Sequence, residues 1–287
     1  MLRTTAIFLA TSLGLLAASP SFSAGASDPL VELVTALEEK LDARIGLAIH
    51  DLENQNAWEY RADERFPMAS TFKALACAAL LSRGKDAMNA PVEIAAADLI
   101  TYSPVTETLV GQSVRASELC DATMRTSDNT AANKVLDVVG GPAAVTEFLR
   151  TIGDGNTRLD RWEPELNEGT PGDLRDTTTP RAIALSLREL VLGNALDEAA
   201  REQLTAWLLS NEVGDPLLRA GVPADWRVGD RTGAGGHGTR GIIAVMWPPN
   251  RAPVVAAIYM TETAVSMEER NAAIAEIGGA LAASVID

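Results

Sequence analysis

The chain has 287 residues, 47% hydrophobic and 22% charged, with a net charge of −15. That is enough chain for one large domain or two intimate subdomains around an ample core. The acidic balance argues against nucleic acid and against an anionic membrane surface, although a local cationic pocket can still take an anionic ligand.

The first 26 residues differ in kind from the rest. A short basic start (Met1-Leu2-Arg3) leads into an apolar run over 6–18, Pro20 breaks it, and Ala24-Gly25-Ala26 offers a small-residue cleavage site. This is the layout of a secretory signal peptide over 1–26. The run is short for a membrane span, which is the competing reading of an uncleaved anchor. No cysteine follows it closely, which disfavours a lipoprotein, and no second stretch is apolar enough to span. The expectation is a soluble protein of residues 27–287, exported to the periplasm.

Residues 28–42 carry apolar positions at helical spacing, with Asp28 as cap and Pro29 in the first turn. Residues 44–52 (RIGLAIHDL) read as a strand and 56–63 (NAWEYRAD) as its hairpin partner. The stretch 66–210 reads as mostly helical, its segments ending at glycines, with a proline opening the helix near 180. Three more strands follow at 226–233, 241–249 and 252–260. A helix over 266–286 has Ser266 and Glu269 as a capping box. The predicted fold class is α/β (α+β). An antiparallel sheet built from both chain ends (27–65 and 211–287) is flanked by helices, with a helical subdomain (66–210) inserted. A cleft between the two is the natural site.

Two cysteines, Cys77 and Cys120, remain in an exported chain, which suits a disulfide. Closing a loop of about 44 residues would stabilise by about 4 kcal/mol in the chain-entropy picture. Two buried free thiols are the alternative, since Cys77 lies in an apolar run.

The chemistry begins at RFPMASTFKALACAALL (65–81), where Ser70 and Lys73 stand three apart before an uncharged run. Residues at that spacing share a helix face. A hydroxyl is a poor nucleophile unless a neighbour takes its proton. A lysine whose pKa falls through burial could do so, and a helix start aims backbone N–H groups at an oxyanion. Alone, S-x-x-K is weak. Ser127-Asp128-Asn129 stands before another helical run, where an N-cap cluster is the plain reading. Arg231-Thr232-Gly233 closes a strand.

S-T-F-K, S-D-N and a basic residue before T-G, in this order, resemble the serine penicillin-recognising enzymes. A further stretch, RWEPELNEGTPGDLRDTTTP (161–180), resembles the omega loop of class A β-lactamases, with Glu163 and Asn167 in the matching places. The resemblance runs from about 28 to 287 and takes in Tyr102, Trp226, Arg240 and the cysteine pair. It implies the five-stranded antiparallel sheet of that fold and hydrolysis of β-lactams through a serine acyl-enzyme. Ser70 would be the nucleophile, with the backbone N–H groups of Ser70 and Ala234 holding the oxyanion. Ser127 would protonate the leaving nitrogen, and Asn129 would position Lys73 and the substrate amide. Glu163 with Asn167 would activate the deacylating water. Lys73 and Glu163 both remain candidates for the acylation base. Tyr102 and Gly233 would help to form the substrate site. Thr232, Arg231 and Arg240 would meet the substrate carboxylate, and an Arg161–Asp176 pair would close the loop.

Departures from the family pattern narrow the reading. The family usually has lysine where Arg231 stands, and arginine there resembles the carbenicillin-hydrolysing subgroup. Ala69 and Gly235 supply no second disulfide beside the site, so the class A carbapenemase pattern is absent. Gly235 and Gly236 lack the small substitutions linked with extended cephalosporin use.

Other readings are weaker. GAGGHG (233–238) fits G-x-G-x-x-G, but a strand pattern follows it instead of a helix. Two histidines, His50 and His237, are too few for a zinc hydrolase, so no metal and no cofactor are expected. A penicillin-binding DD-peptidase would share Ser70, Lys73 and Ser127 without needing Glu163. A non-catalytic β-lactam sensor would need a membrane partner. The expected partners are small β-lactam substrates and mechanism-based inhibitors, with no nucleic acid and no membrane, acting on a monomer.

Overall fold

The computed structural model describes residues 28–286, so the leader expected over 1–26 lies outside the described residues. Helix α1 (Pro29–Lys40) is capped by Asp28, whose carboxylate accepts from Leu30 N at 2.9 Å. The same carboxylate accepts from the Trp58 indole at 2.8 Å, tying the helix to the sheet. Strands β1 (Arg44–Asp51) and β2 (Ala57–Tyr60) form the expected hairpin. The middle of the chain then runs through β3 (Phe66–Pro67), α2 (Phe72–Ser82), α3 (Lys85–Met88), β4 (Pro91–Glu93) and β5 (Ser113–Arg115). Next come α4 (Ala116–Thr126), α5 (Asn129–Val139), α6 (Pro142–Thr151), β6 (Thr177–Thr178), α7 (Pro180–Leu192) and α8 (Glu198–Leu209). Strands β7 (Arg227–Ala234), β8 (Arg240–Trp247) and β9 (Val254–Thr261) precede α9 (Met267–Ile286).

The main sheet has five antiparallel strands in the order β2-β1-β9-β8-β7. The two ends of the chain meet at β1 and β9, where Leu47 faces Ile258. Alternation sorts the side chains into two cores. Ile45, Leu47, Ile49, Ile242, Met246 and Ile258 pack on one face with Leu30 and Val34 of α1 and Ile274 and Ile277 of α9. Ala48, Ile243, Val245, Ala257 and Tyr259 pack on the other face with α2 and α7. A sheet covered on both faces reads as continuous apolar runs, which is the pattern of β8 and β9.

Helix α2 is buried from Phe72 to Leu81. A helix apolar all round belongs in an interior, and α2 is the axis of the helical insertion. The disulfide Cys77–Cys120 ties it to α4 across a Cα–Cα distance of 5.7 Å. The Ser266–Glu269 capping box forms at the start of α9, at 2.8 and 3.2 Å. The sequence did not announce two short ribbons, β3 with β6 and β4 with β5. The first matters most, because it fastens the segment before Ser70 to the end of the 161–180 loop.

Candidate active site

Ser70 sits in a single 3-10 turn, Ala69–Thr71, that leads into α2. Ala69 has φ 42, a left-handed conformation costly for a side-chain-bearing residue, so the turn must be held from outside. Met68 N donates to Asp176 O at 2.9 Å. The Thr71 hydroxyl donates to Met68 O at 2.8 Å and lies 2.8 Å from the Tyr259 hydroxyl. Strand β7 presses against the turn. A Cβ on Gly233 would stand 2.7 Å from Met68 O and 3.1 Å from Ser70 N, so this position has no room for a side chain. Ala234, the last residue of β7, reaches the same cleft as Ser70.

Lys73, one turn on, is fully buried. Its ammonium donates to Asn129 Oδ1 at 2.7 Å, Ser127 O at 2.8 Å and Ser127 Oγ at 3.1 Å, and lies 3.1 Å from Glu163 Oε1. Burial pulls its pKa down to about 8, with Glu163 opposing and Arg231 adding to the fall. It makes no hydrogen bond with Ser70. The Ser70 hydroxyl points instead to Glu163 Oε1, at 3.4 Å.

Ser127 ends α4 with φ 67. Its neighbour Asp128 is the N-cap that sequence reasoning anticipated, accepting from Ala131 N at 2.8 Å. Asp128 also accepts from Val105 N and Thr106 N at 2.9 and 2.8 Å, which anchors the loop carrying Tyr102. Asn129 donates to Thr101 O at 2.9 Å, and Tyr102 stands half-exposed at the mouth of the cleft.

Glu163 is buried and held from several sides. Asn133 of α5 clamps its backbone at both ends, accepting from Glu163 N at 2.9 Å and donating to Glu163 O at 2.8 Å. Asn167 donates to its carboxylate. The loop closes as expected, with Arg161 Nε 2.6 Å from Asp176 Oδ2. Asp176 also accepts from Asp160 N and Arg161 N, at 2.7 and 2.9 Å. Gly235 and Gly236, after β7, make room for this loop. A Cβ on Gly235 would meet Asn167 O at 2.6 Å, one on Gly236 would meet Glu168 O at 2.2 Å, and Gly236 N donates to Asn167 O at 2.8 Å. G-x-G-x-x-G runs from β7 into β8 with no helix after it.

The cleft, about 370 Å³, is lined by Ser70, Tyr102, Ser127, Asn129, Asn167, Val213, Thr232, Gly233, Ala234, Arg240 and Met267. Lys73, Glu163 and Arg231 lie beneath this lining. Arg231 is fully buried and is not among the residues that line the cleft. It donates to Ser127 Oγ and, at 3.3 Å, to Asn211 Oδ1. Burial pulls its pKa down to about 10 against the opposing charge of Asp230. Arg240 does reach the cleft, aimed by Asn271 Oδ1 at 2.8 Å and Gly233 O at 3.2 Å. Burial, then Arg270, pulls its pKa down to about 10. Sequence reasoning missed Asn133, Asn211, Val213 and Met267, which carry no motif of their own. A larger cavity, about 520 Å³ beside Asp154, Arg181 and Arg188, gathers none of the expected residues. Among the described residues, no group of three His, Cys, Asp or Glu could hold a metal, and neither histidine lines the cleft.

Known proteins are similar to this chain in sequence and fold. Residues 29–285 match the model of the β-lactamase enzyme family. The chain is 53% identical over 248 residues to β-lactamase PSE-4 of Pseudomonas aeruginosa, covering 85% of this chain and 86% of that one. It is 49% identical over 253 residues to β-lactamase AER-1 of Aeromonas hydrophila, covering 87% and 83%. An ancestral class A β-lactamase structure superposes with a TM-score of 0.87 at 53% identity, covering 89% of this chain and 99% of that one. The chromosome-encoded β-lactamase of Vibrio parahaemolyticus gives a TM-score of 0.86 at 47% identity, covering 88% and 97%. The family match, the sequence identity and the superposition together show that the chain belongs to the β-lactamase enzyme family, in its class A.

Proposed function

We propose that the protein hydrolyses penicillins, carboxypenicillins included, through an acyl-enzyme on Ser70 that Glu163 helps to hydrolyse. The observation that carries this reading is the meeting of Ser70, Lys73, Ser127 and Glu163 at one cleft floor, with the Ser70 hydroxyl 3.4 Å from the Glu163 carboxylate. Ser70 Oγ attacks the lactam carbonyl carbon and its proton passes to Glu163. The backbone N–H groups of Ser70 and Ala234 stabilise the oxyanion. Ser127 Oγ already accepts from Lys73 and Arg231, which leaves its own proton free for the cleft. That proton goes to the lactam nitrogen as the C–N bond breaks, Lys73 reprotonates Ser127 Oγ, and Lys73 takes back the proton that Glu163 received from Ser70, so that Glu163 is a carboxylate again. Glu163 and Asn167 then hold the water that attacks the ester carbonyl, with Glu163 taking its proton and passing it to Ser70 Oγ as the acyl–oxygen bond breaks. Thr232 and Arg240 meet the substrate carboxylate from the cleft wall, Arg231 supports them from below, and Asn129 with Tyr102 flanks the side chain. A DD-peptidase has no need of a buried, doubly clamped Glu163.

Carboxypenicillin use is drawn from the R-T-G sequence and its resemblance to the carbenicillin-hydrolysing subgroup. The working protein is a soluble periplasmic monomer of residues 27–287, freed of 1–26, needing no cofactor and conferring resistance to β-lactams. Mechanism-based inhibitors acylate the same Ser70. Steady-state hydrolysis by the purified protein tests this. Carbenicillin should turn over nearly as well as benzylpenicillin, with weak activity on late cephalosporins and little on carbapenems. Ser70→Ala should lose turnover with an unchanged circular dichroism spectrum. A Ser70→Ala rate within tenfold of wild type contradicts the nucleophile, and a carbenicillin rate far below benzylpenicillin contradicts the substrate class alone.

A further inference from the structure

We propose that Asn211 is a positioning residue for the reaction: held by Asp230, its amide fixes the guanidinium of Arg231 and so the direction in which Ser127 presents its proton. The inference rests on the reading of Ser127 as the donor to the leaving nitrogen.

The geometry forms one continuous chain behind the cleft. Asn211 is buried, just after α8. Its Nδ2 donates to Asp230 Oδ1, and its Oδ1 accepts from Arg231 Nη1 at 3.3 Å and from Val213 N at 3.2 Å. An amide has a donor end and an acceptor end. The carboxylate of Asp230 claims the donor end, so the oxygen must face Arg231. The reverse orientation would set an oxygen against a carboxylate and an NH2 group against a guanidinium. Arg231 Nη2, thus aimed, donates to Ser127 Oγ.

Neighbouring groups keep the pair in place. Arg219 stands on the far side of Asp230, with Nε 2.8 Å from Oδ2, and donates from Nη1 to Asn211 O at 2.7 Å. Gly214 leaves the room the pair needs. A Cβ there would lie 2.4 Å from Asp230 Oδ1 and 2.9 Å from Asn211 Nδ2. Asp230 is itself fully buried, and burial pushes its carboxyl up to about 6 against the pull of Arg219. A second carboxylate at 211 would add a buried like charge beside it, whereas an amide offers Arg231 an acceptor without one.

The test is a double-mutant cycle read as kcat and KM on benzylpenicillin. Asn211→Leu removes both ends of the amide, and Gly214→Ala displaces the pair while keeping every hydrogen-bonding group. Each is measured alone and with Arg231→Lys, and thermal melting identifies the variants that fold. Loss of one hydrogen bond to a charged group predicts a fall of about tenfold in kcat for either variant, with a smaller change in KM. In the Arg231→Lys background the same substitutions should cost less than about twofold, because the group they act through is gone. Equal losses in both backgrounds, or no loss in the wild-type background, overturn the proposal. If Asn211→Leu fails to fold, Gly214→Ala decides the question. Failure of the underlying site reading is separate, since it appears as turnover retained in Ser70→Ala.

Discussion

Gly233→Ala is a one-methyl test of how the nucleophile is held. The new Cβ would lie 2.7 Å from Met68 O, 3.1 Å from Ser70 N and 3.2 Å from Ala69 Cβ, where ordinary contact begins at 3.4 Å. None of these atoms is the end of a flexible side chain. The turn is pinned by Asp176 O and Thr71, and the strand by its ladder to β8. Strand and turn must therefore part by about 0.7 Å, the gap between 2.7 and 3.4 Å. Such overpacking costs about 1–3 kcal/mol of stability. At about 2–4 °C per kcal/mol for a domain near this size, the melting temperature should fall by about 2–12 °C. The same shift displaces the N–H groups of Ser70 and Ala234 from each other. A misplacement of about 1 Å can cost about a hundredfold in rate, so kcat on nitrocefin should fall by about ten- to a hundredfold. The assay is steady-state nitrocefin hydrolysis beside scanning calorimetry. Gly155→Ala serves as the control, because nothing lies within 4 Å of a Cβ there. A Gly233→Ala enzyme with kcat within twofold of wild type and an unchanged melting temperature refutes the close-approach argument.

Two further outcomes follow from the buried groups. Cys77→Ala with Cys120→Ala opens a loop spanning a sequence separation of 43, and the chain-entropy model predicts a loss of about 4 kcal/mol. Urea unfolding should show it, and a midpoint unchanged at equal slope would contradict it. Lys73 has a folded pKa of about 8 against an ordinary 10.5. Its neutral form is favoured in the folded protein, so the associated stability is fully present above 10.5 and is lost as pH falls through 8. Relative to Lys73→Met, wild type should gain about 3 kcal/mol between those limits. Parallel stability curves across that window would refute the depressed pKa.

The architecture was legible where local signals agreed with the fold. Asp28, the Ser266–Glu269 box and the glycine after α5 each marked an element boundary through backbone chemistry that acts within a few residues. The sheet from both chain ends could be read because its strands are apolar runs of the right length. Ser70, Lys73, Ser127, Asn129 and Glu163 stood in motifs, and the fold brings them together. What escaped depends on tertiary contact. Asn133 and Asn211 are ordinary asparagines until α5 meets the 161–180 loop and the residues after α8 meet β7. The side on which Arg231 buries its charge is equally invisible in R-T-G, because strand alternation gives a face but not a partner. The motifs leave Lys73 and Glu163 both open as the acceptor of the Ser70 proton. The structure turns it toward Glu163, because Ser127 and Asn129 already occupy the ammonium.

The most direct test of the two-step account is intact-protein mass spectrometry of Glu163→Ala mixed with benzylpenicillin. The account predicts an adduct of one substrate mass that forms slowly, because the acceptor of the Ser70 proton is gone, and then persists, mapping by digestion to the peptide that contains Ser70, while wild type under the same conditions returns to its free mass. Normal turnover by Glu163→Ala with no accumulating adduct would contradict it.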